Sequence, residues 1–408
     1  MTTSIKNIKN EIDSRLAGGG LDALACCQLQ NAQTILNNEI VTTVANLASL
    51  PRADLNEGRL VYVDDINEYR FSSVGEWTDD PDSTLRIVQK QLWIWGGSSG
   101  GSGDGTTTCR CSPVREFYSA TDWCQVSASG NQHAAAVKTT GQLWTWGSNV
   151  CGKLGDGTTI TKCSPVRERC SATDWCQVSA TAGHNSAIKT SGQLWAWGSN
   201  ACGVLGDGTT VNKCSPVREF CSATDWCQVS VGNTGTTTRN LSTAIKTSGQ
   251  LWSWGYNRFG GLGDGTTTSR CSPVRERCSA TDWCGVSAGG CMIAAIKTSG
   301  QIWTWGSNGS GRLGTGTVAA SSSPVREFCS ATDWCQVSAG SYHNTMAVKT
   351  SGELWAWGNN AGGKLGDGTT VDKCSPVREI SSSTGWCQVS AGRFHSAAIL
   401  NLTKGFLE

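Results

Sequence analysis

The sequence predicts an all-β protein whose main domain is a six-bladed β-propeller, and three observations carry this prediction. The segment Leu143–Gly147 (LWTWG) occurs, with small changes, six times in the 408 residues, with start-to-start spacings of 51, 51, 57, 51 and 52 residues. Within each copy, short apolar runs alternate with clusters of Gly, Asp, Asn and Ser, and no segment has a helical period. A period near fifty with four short strands per copy is typical of a propeller blade. The ends of the array supply the third observation.

The second copy shows the elements of the repeat most clearly. Strands are predicted at residues 143–146, 175–178 and 186–189, with a GDGTT turn at residues 155–159 and a TSGQ turn at residues 190–193. Gly and Asp-Gly are the usual residues of tight turns. Across the second turn, residues 187–195 (AIKTSGQLW) form a predicted hairpin.

The two ends of the array decide the predicted number of blades. The hairpin is intact five times, whereas its sixth occurrence is divided between residues 396–400 and residues 92–95. Pairing of these segments closes a ring and removes two exposed edge strands, so we predict six blades. The alternative is seven blades, with residues 60–77 as a degenerate blade.

The repeat resembles a known family. The pattern LWxWGxNxxGxLGDG, followed by SPV, VSAG and a His before a strand of small residues, is similar to the repeat of the regulator of chromosome condensation family over residues 92–400. The resemblance implies a propeller that acts as a guanine nucleotide exchange factor in some proteins and as a binding platform in others. This chain differs from the nuclear members in having six copies, in lacking a basic chromatin-binding tail and in the near identity of its copies.

The region before the repeats divides into a helical segment at residues 1–45 and a small β-hairpin module with a linker at residues 46–83, ahead of the propeller at residues 84–408. Apolar residues at helical spacing predict an attachment or oligomerisation segment, because such short helices are marginal alone. The alternative is that these helices fold back onto the propeller. The residues are Ile5, Ile8, Ile12, Leu16, Leu24, Leu29 and Ile35.

The hairpin module resembles small modules of tailed-phage fibres and other virion structural proteins. The resemblance rests on Leu50, Pro51, Asn56, Glu57, Gly58, Arg59, Tyr62, Val63, Asp65, Asn67, Tyr69, Phe71 and Trp77. It implies a non-enzymatic virion protein of a tailed bacteriophage, a fibre, spike or decoration, assembled in the host cytoplasm and located in the extracellular particle. Its N-terminus would contact other virion proteins, its propeller would bind a host-surface glycan or protein, and we expect a homo-oligomer. The alternative is an exchange-factor-like, lectin-like or inhibitory protein-binding propeller.

Composition and motifs favour binding over catalysis. Lys plus Arg (33) nearly equal Asp plus Glu (32), so no global field favours nucleic acid, and no apolar run is long enough to insert into a membrane. No single-copy triad, carboxylate pair or phosphate loop stands out, and we predict no cofactor and no metal. The four histidines recur with the blades and are interpreted as partners of buried backbone groups.

Other repeated residues are interpreted as structural. The tryptophans are predicted to pack between blades, and the Arg-Glu pair after each SPV is predicted to form a surface ladder. Each copy also has a TDW or TGW segment followed by Cys, such as Cys176, and this Cys is predicted to be a small buried residue. A GDGTT turn is flanked by Cys151 and Cys163 in one copy and by Cys202 and Cys214 in the next. For each pair the sequence leaves two alternatives, a disulfide across the turn or two reduced thiols.

Differences between the copies point to binding loops. They concentrate between VSAG and the next strand, and in the loop after the fourth LWxWG segment, where two aromatic residues and an Arg replace small residues. Aromatic and Arg side chains are common interface anchors, although drift in neutral loops would produce the same pattern. The candidates are Asn131, Gln132, Thr236, Thr237, Arg239, Asn240, Tyr256, Arg258, Phe259, Tyr342, Arg393 and Phe394.

Overall fold

The structure is a computed structural model, which describes residues 41–44, 60–63, 68–73, 76–77, 91–96, 103–128, 133–232, 238–392 and 395–401. The chain separates into two units, one formed by residues 1–21 and 25–90 and the other by residues 22–24 and 91–408. The predicted helical positions between Ile5 and Ile35 lie outside the described residues.

The first unit contains a four-stranded sheet, formed by β1 (Val41–Val44), β2 (Leu60–Val63), β3 (Glu68–Ser73) and β4 (Glu76–Trp77) in sequential order. β1 runs parallel to β2, and β2 pairs antiparallel with β3 in the register Leu60↔Phe71. β1 lies within residues 1–45, which the sequence predicted to be helical. This short stretch is a strand instead, because the β-branched residues of Val41–Val44 (VTTV) favour extended backbone.

The second unit contains seven sheets in succession along the chain, named sheets 1 to 7. Sheet 1 has two strands, β5 (Trp93–Gly96) and β6 (Arg110–Arg115), and sheet 7 has two strands, β27 (Trp386–Ala391) and β28 (Ser396–Leu400). Sheets 2 to 6 each have four antiparallel strands in sequential order.

The strands of the five complete sheets have these bounds. The first strands are β7 (Trp123–Ala128), β11 (Trp175–Ala180), β15 (Trp226–Gly232), β19 (Trp283–Ala288) and β23 (Trp334–Ala339). The second strands are β8 (His133–Lys138), β12 (His184–Lys189), β16 (Leu241–Lys246), β20 (Met292–Lys297) and β24 (Asn344–Lys349). The third strands are β9 (Leu143–Gly147), β13 (Leu194–Gly198), β17 (Leu251–Gly255), β21 (Ile302–Gly306) and β25 (Leu354–Gly358). The fourth strands are β10 (Lys162–Arg167), β14 (Lys213–Arg218), β18 (Arg270–Arg275), β22 (Ser321–Arg326) and β26 (Lys373–Arg378).

Short 3-10 turns follow four of the third strands, at Val150–Gly152, Ala201–Gly203, Gly309–Gly311 and Ala361–Gly363. No range was predicted for the fourth strand of the repeat, which contains a Pro, as in Lys213–Arg218 (KCSPVR). Pro cannot donate to a strand ladder and is tolerated at a sheet edge, which is where this strand lies.

The TSG turn between the second and third strands requires its glycine. Gly192 has φ +72°, and a Cβ atom there would lie 2.2 Å from the carbonyl oxygen of Thr224 in the next sheet. The same Gly192 carbonyl accepts the Trp226 N–H at 3.1 Å. The turn therefore also joins neighbouring sheets, and only a residue without a side chain fits.

The all-β propeller prediction is confirmed in its repeated four-stranded sheets, but the prediction of six blades is wrong, because the described residues form seven sheets. The predicted pairing of residues 396–400 with residues 92–95 is not formed. Within the described part of the chain, β28 pairs only with β27 and β5 only with β6. The two halves of the divided hairpin thus occupy separate positions in the array.

The tryptophan prediction is confirmed at the junctions between the complete sheets. The second Trp of the third strand is fully buried in sheets 2 to 6, as at Trp197 and Trp254. Its ring covers the first Gly of the GDG turn in the preceding sheet, where a Cβ on Gly155 or Gly206 would lie 2.7 Å from the indole nitrogen. Large buried rings of this kind contribute a few kcal/mol each, roughly, by area burial.

The Arg-Glu pair is not the predicted surface ladder. Glu219 is only 2% exposed, and its Oε1 accepts the Ala223 N–H at 2.6 Å and the Trp226 indole N–H at 3.3 Å. Its Oε2 accepts the Cys221 N–H at 2.5 Å. The loop between the fourth strand of one sheet and the first strand of the next presents backbone N–H donors. The Glu219 carboxylate is the charged acceptor for these donors. The same arrangement recurs at Glu116, Glu168, Glu276, Glu327 and Glu379.

Repeated lysine–aspartate ion pairs lie at the same end of the sheets as these glutamates. Lys246 Nζ lies 2.9 Å from Asp225 and 4.9 Å from the ring centre of Trp226. Equivalent ion pairs occur in all five complete sheets. In sheet 7 both partners are replaced together, since Leu400 pairs with Trp386 in the register of the lysine and Gly385 replaces the aspartate.

Among the described residues, no cysteine forms a disulfide. The proposed bridges of Cys151 with Cys163 and of Cys202 with Cys214 are not formed, because the fourth strand turns toward the preceding sheet. A Cβ on Gly152 would lie 2.5 Å from Cys214 Cα. The Cys after TDW is mostly exposed, not buried as predicted, and its Sγ donates to a carbonyl oxygen, as from Cys176 to Ile188 at 3.4 Å.

Candidate functional site

Two kinds of loop meet at one end of each complete sheet, which we call the variable rim. The loop between the first and second strands reaches this end, and so does the loop after the third strand, because His184 pairs with Gly198 in the register of β12 and β13. Backbone bonds join the two loops, as from the Ser199 N–H to the Gly183 carbonyl at 2.9 Å. The loops with the most sequence variation therefore lie together, as one surface per sheet.

In sheet 4 the variable rim carries an aromatic pair. The Tyr256 and Phe259 rings are edge to face with centres 6.4 Å apart, and Phe259 is 42% exposed. Arg258 is exposed between them. The Tyr256 N–H donates to the Asn240 carbonyl at 2.9 Å, which ties this loop to the one that contains Arg239.

The aromatic residues change the backbone as well as the surface. The equivalent loops of sheets 2, 3, 5 and 6 form a 3-10 turn with a left-handed residue, such as Cys202 at φ 61° or Ser310 at φ 61°. Residues 256–260 form a simple turn instead, and Phe259 has no positive φ. A bulky side chain is strained at positive φ, which accounts for the different turn.

Asn240 does not line the surface, although the sequence suggested it as a binding residue. Its side chain is 1% exposed, whereas the neighbouring Arg239 is exposed. Asn240 is thus a support for the loop, and Arg239 remains available for contact.

Sheet 6 carries the second described aromatic loop. The ring of Tyr342 is 39% exposed and lies edge to face with His343, with centres 5.2 Å apart. Lys364 Nζ lies 2.8 Å from the Tyr342 carbonyl oxygen and 5.6 Å from its ring centre. Burial lowers the pKa of this lysine.

Buried cations support the variable rim at one repeated position that sequence reasoning missed. Arg312 is 2% exposed and its Nη1 donates to the Gly290 carbonyl at 2.8 Å, while Lys153 Nζ donates to the Ala182 carbonyl at 3.1 Å. Burial lowers the pKa of Arg312 to about 10 and that of Lys153 to about 8. The available signal was a basic residue before Leu-Gly in some copies only, with Val204 at the same position in another.

The predicted candidates are only partly brought together. Arg239, Tyr256, Arg258 and Phe259 share the rim of sheet 4, and Tyr342 lies on that of sheet 6. The remaining predicted positions lie outside the described residues: Asn131, Gln132, Thr236, Thr237, Arg393 and Phe394.

Two histidines lie beneath the rim, and the Nε2 atom of each bonds to a side chain of the next sheet, where the sequence predicted backbone partners. His133 Nε2 is 2.9 Å from Asn185 Oδ1, and His184 Nε2 is 3.0 Å from Ser242 Oγ, each across a sheet junction. Burial lowers the pKa of both rings from 6.5 to about 3, helped at His133 by the charge of Lys153. Neutral rings in fixed bonds have a structural role.

Two other kinds of site are absent from the described residues. In that part of the chain, no group of three or more His, Cys, Asp or Glu side chains is arranged to hold a metal ion. It also contains no helix with the length and apolar character needed to cross a membrane.

The repeats match a family model described as the regulator of chromosome condensation (RCC1) repeat, at residues 140–188, 191–238, 248–296, 299–347 and 351–399. A second model of the same description matches residues 123–153 and 334–363. These matches cover more than half of the chain.

Two plant proteins and one human protein are among the relatives of this chain. The chain is 28% identical to the ultraviolet-B receptor UVR8 of Arabidopsis thaliana over 75% of its length and 69% of the receptor. It is 28% identical to the mitochondrial RCC1 domain-containing protein RUG3 of Arabidopsis over 73% of this chain and 71% of that protein. It is 30% identical to the human E3 ubiquitin-protein ligase HERC2 over 66% of this chain, which spans only 6% of the ligase.

Solved structures support the fold. Yeast RCC1 (Prp20), solved bound to Kap60, is similar with a TM-score of 0.66 and 18% identity over 78% of each chain. Human WBSCR16 is similar with a TM-score of 0.65 and 20% identity, over 78% of this chain and 83% of that one.

These relatives overturn the predicted virion function and the predicted location in an extracellular particle. They are RCC1-like proteins of plants, animals and yeast, and the family models match the repeats of this chain. The virion prediction depended on residues 1–83, where short patterns carry little specificity; the resemblance of residues 50–77 itself stays a prediction. On the evidence of its repeats, the chain belongs to the regulator of chromosome condensation (RCC1) repeat family.

Proposed function

We propose that this chain is a non-enzymatic, protein-binding propeller that recognises its partner through the variable rim. The observation that carries the proposal is the contrast between a constant scaffold and unequal loops. The Trp, Glu and Gly contacts of the junctions repeat from sheet to sheet, whereas the rim replaces small residues by Tyr256, Phe259 and Tyr342 at exposed or half-buried positions.

The chemistry of the rim suits a protein surface. Exposed aromatic rings bring large apolar area with few rotatable bonds, and Arg239 and Arg258 add charged donors beside the sheet 4 pair. Buried Arg312 and Lys364 hold loop carbonyls in place, which reduces the entropy lost when the loops bind. A rigid scaffold with preorganised loops is a common basis for recognition.

Variants that restore the residues of other copies test the proposal without new chemistry. Tyr256→Ser and Phe259→Ser introduce the residues found at Ser199 and Ser310. The full chain would be immobilised, and proteins that it retains would be identified and their affinities measured. We expect the double variant to weaken retention of a specific partner at least tenfold.

The matched control is Phe220→Ala. Phe220 is 66% exposed but follows β14 at the end of sheet 3 opposite the variable rim, as the register Trp195↔Arg218 shows. The proposal fails if the rim variants retain every partner with unchanged affinity, or if the control loses the same partners.

Exchange-factor-like action on a small GTPase is the second candidate, supported by family membership alone. It also requires protein binding, but adds accelerated release of bound nucleotide. Nucleotide release would be followed with a fluorescent guanine nucleotide on a panel of GTPases. Binding without faster nucleotide release would support the binding platform and exclude exchange activity on the GTPases tested.

The predicted apolar positions of the N-terminal segment are kept as a proposed oligomerisation surface. Removal of residues 1–38 should then lower the mass of any oligomer in solution. An unchanged mass would contradict this part of the proposal.

A further inference from the structure

We propose that the variable rim of sheets 4 and 5 binds a protein segment in which acidic residues flank an apolar side chain. This inference rests on the proposed function and deepens it, because it names the chemistry of the partner. Three features meet in these two sheets: arginines without carboxylate partners in the described part of the chain, an exposed aromatic pair, and a junction that lacks bonds formed at its neighbours.

Three arginines of this part of the rim have no carboxylate partner among the described residues. Arg239 and Arg258 are exposed, whereas Arg312 is 2% exposed. None of the ion pairs within the described residues includes them. Arg312 donates to two carbonyl oxygens instead, that of Gly290 at 2.8 Å and that of Gly309 at 3.3 Å. Carbonyl dipoles do not cancel the charge, so this part of the rim keeps a positive potential.

The rim loops of sheets 4 and 5 contain almost no acidic residues. Asp264 is the single one in residues 233–240, 256–269, 289–291 and 307–320, and it lies 3.1 Å from its own partner Arg270. Sheet 5 has Thr315 and Ser321 at the positions of this pair, so it lacks both charges. The three arginines therefore remain as a local excess of positive charge.

Two of these arginines act on the same point of the rim. Burial raises the pKa of the Cys291 thiol to about 11, and the charges of Arg312 and Arg239 act in the opposite direction. Because the effect of a charge weakens with distance, both guanidinium groups lie near the loop of Cys291. Arg239 is placed for contact with a partner, while Arg312 contributes its charge from beneath the loop.

The aromatic pair supplies the apolar part of the site. The rings of Tyr256 and Phe259 lie edge to face with centres 6.4 Å apart, and Phe259 is 42% exposed. Arg258 lies between them in the sequence, and the bond from the Tyr256 N–H to the Asn240 carbonyl holds their loop against that of Arg239. An apolar side chain can contact the rings while flanking carboxylates pair with the guanidinium groups.

The junction between sheets 4 and 5 lacks bonds that its neighbours form. The indole N–H groups of Trp254 and Trp357 donate to carbonyl oxygens of the preceding sheet, at 2.8 and 2.9 Å. The equivalent N–H of Trp305 is buried and has no partner among the described residues, and neither has the side-chain amide of Asn240, which is 1% exposed. Unpaired buried polar groups cost stability, and such departures from a repeated pattern are typical of functional sites.

Carboxylates of a protein fit this surface better than the phosphates of a nucleic acid. A duplex carries one negative charge about every 1.7 Å and needs an extended basic surface. Here the excess is confined to three arginines, and Lys plus Arg (33) nearly equal Asp plus Glu (32) over the whole chain. Two exposed guanidinium groups beside two rings match a short acidic segment with one apolar residue.

The first experiment determines which peptides the rim selects. A library of random peptides displayed on yeast would be selected on the immobilised full chain, and the peptides retained would be sequenced and synthesised. We expect enrichment of Asp and Glu beside an apolar residue. Replacing their carboxylates by the amides Asn and Gln should weaken binding about tenfold, because charge-assisted hydrogen bonds are lost.

The second experiment removes the positive charge from the rim. Arg239→Gln and Arg258→Gln change exposed residues, so the fold should be kept, which circular dichroism would verify. The matched control is Arg277→Gln, which removes the charge of an exposed arginine of the same sheet beyond the other end of β18, where Arg275 pairs with Trp252. We expect each rim variant to weaken binding of the selected peptides roughly three- to tenfold, with the control unchanged. Affinity for the wild type should also fall as salt rises.

The outcomes separate this inference from the proposed function. Peptides without acidic residues that bind the wild type but not the Tyr256→Ser, Phe259→Ser double variant would overturn the inference and leave a protein-binding rim. Selection of no peptide that any rim variant weakens would count against both. Tighter binding of a DNA or RNA oligonucleotide than of the acidic peptides, lost in Arg239→Gln and Arg258→Gln, would assign the arginines to phosphates and also overturn it.

Discussion

Replacing His184 by Leu should remove a defined part of the protein's sensitivity to acid. The ring is fully buried beneath the variable rim, between Thr181 Oγ1 at 3.0 Å and Ser242 Oγ at 3.0 Å. Burial lowers its pKa from 6.5 to about 3. Leu is the residue at the equivalent position Leu241 in sheet 4, so the repeat itself shows that the site accepts it.

The sign of the effect follows from where the proton binds. Below pH 6.5 the unfolded chain protonates this histidine, whereas the folded protein does so only near pH 3. Stability is therefore full above the unfolded pKa and falls as the pH decreases from 6.5 toward 3. At about 1.36 kcal/mol per pKa unit, the complete loss is roughly 5 kcal/mol, of which about 2 kcal/mol has occurred at about pH 5.

The assay compares urea unfolding, followed by tryptophan fluorescence, at about pH 7.5 and about pH 5. The wild type should lose about 2 kcal/mol more than His184→Leu between these conditions. Carboxylates interfere little, because those with shifted values, such as Asp207 and Glu379, have lowered pKa values and titrate at more acidic pH. Leu241→His, which adds a ring at the same position in sheet 4, should increase the acid loss.

Equal pH dependence in the wild type and in His184→Leu would refute the reasoning. It would mean that the ring is hydrated or charged within the fold, or that the unfolded chain does not protonate it normally. A lower stability of the variant at both pH values would not matter, since only the difference between the two conditions reports the pKa.

Three further predictions concern the scaffold. Glu219→Gln should cost about 2 to 3 kcal/mol in the free energy of unfolding, because the amide NH₂ of Gln would face backbone N–H donors. Urea unfolding would measure this cost. A cost below roughly 0.5 kcal/mol would contradict the prediction. Lys246→Met should lower the free energy of unfolding by at most about 1 kcal/mol, since the ion pair with Asp225 is partly exposed. This loss should shrink in high salt. A larger loss that does not depend on salt would indicate a packing role for the lysine. The Cys291 thiol should alkylate far more slowly than exposed Cys109, because burial raises its pKa to about 11, and mass spectrometry of pulse-labelled peptides would detect equal rates if this were wrong.

Much of the fold was predictable because the repeat encodes it locally. The LWxWG, TSG and GDG segments place strands and turns by alternation and by glycines such as Gly192 that no other residue can replace. The predicted strand at residues 143–146 corresponds to β9 (Leu143–Gly147). The candidate site was predicted less completely, because variation marks loops but does not separate surface residues from supports, as Arg239 and Asn240 show.

The sequence by itself determined the repeat, its strands, the family and the tryptophan positions, since all of these follow from short-range pattern. Only the tertiary structure decided which groups meet across a junction. It placed Glu219 under Trp226, His184 against Ser242 and the TSG turn beneath the next sheet. It also placed residues 92–95 and residues 396–400 in separate two-stranded sheets among the described residues. Contacts between sheets join different repeats, so no single repeat contains them.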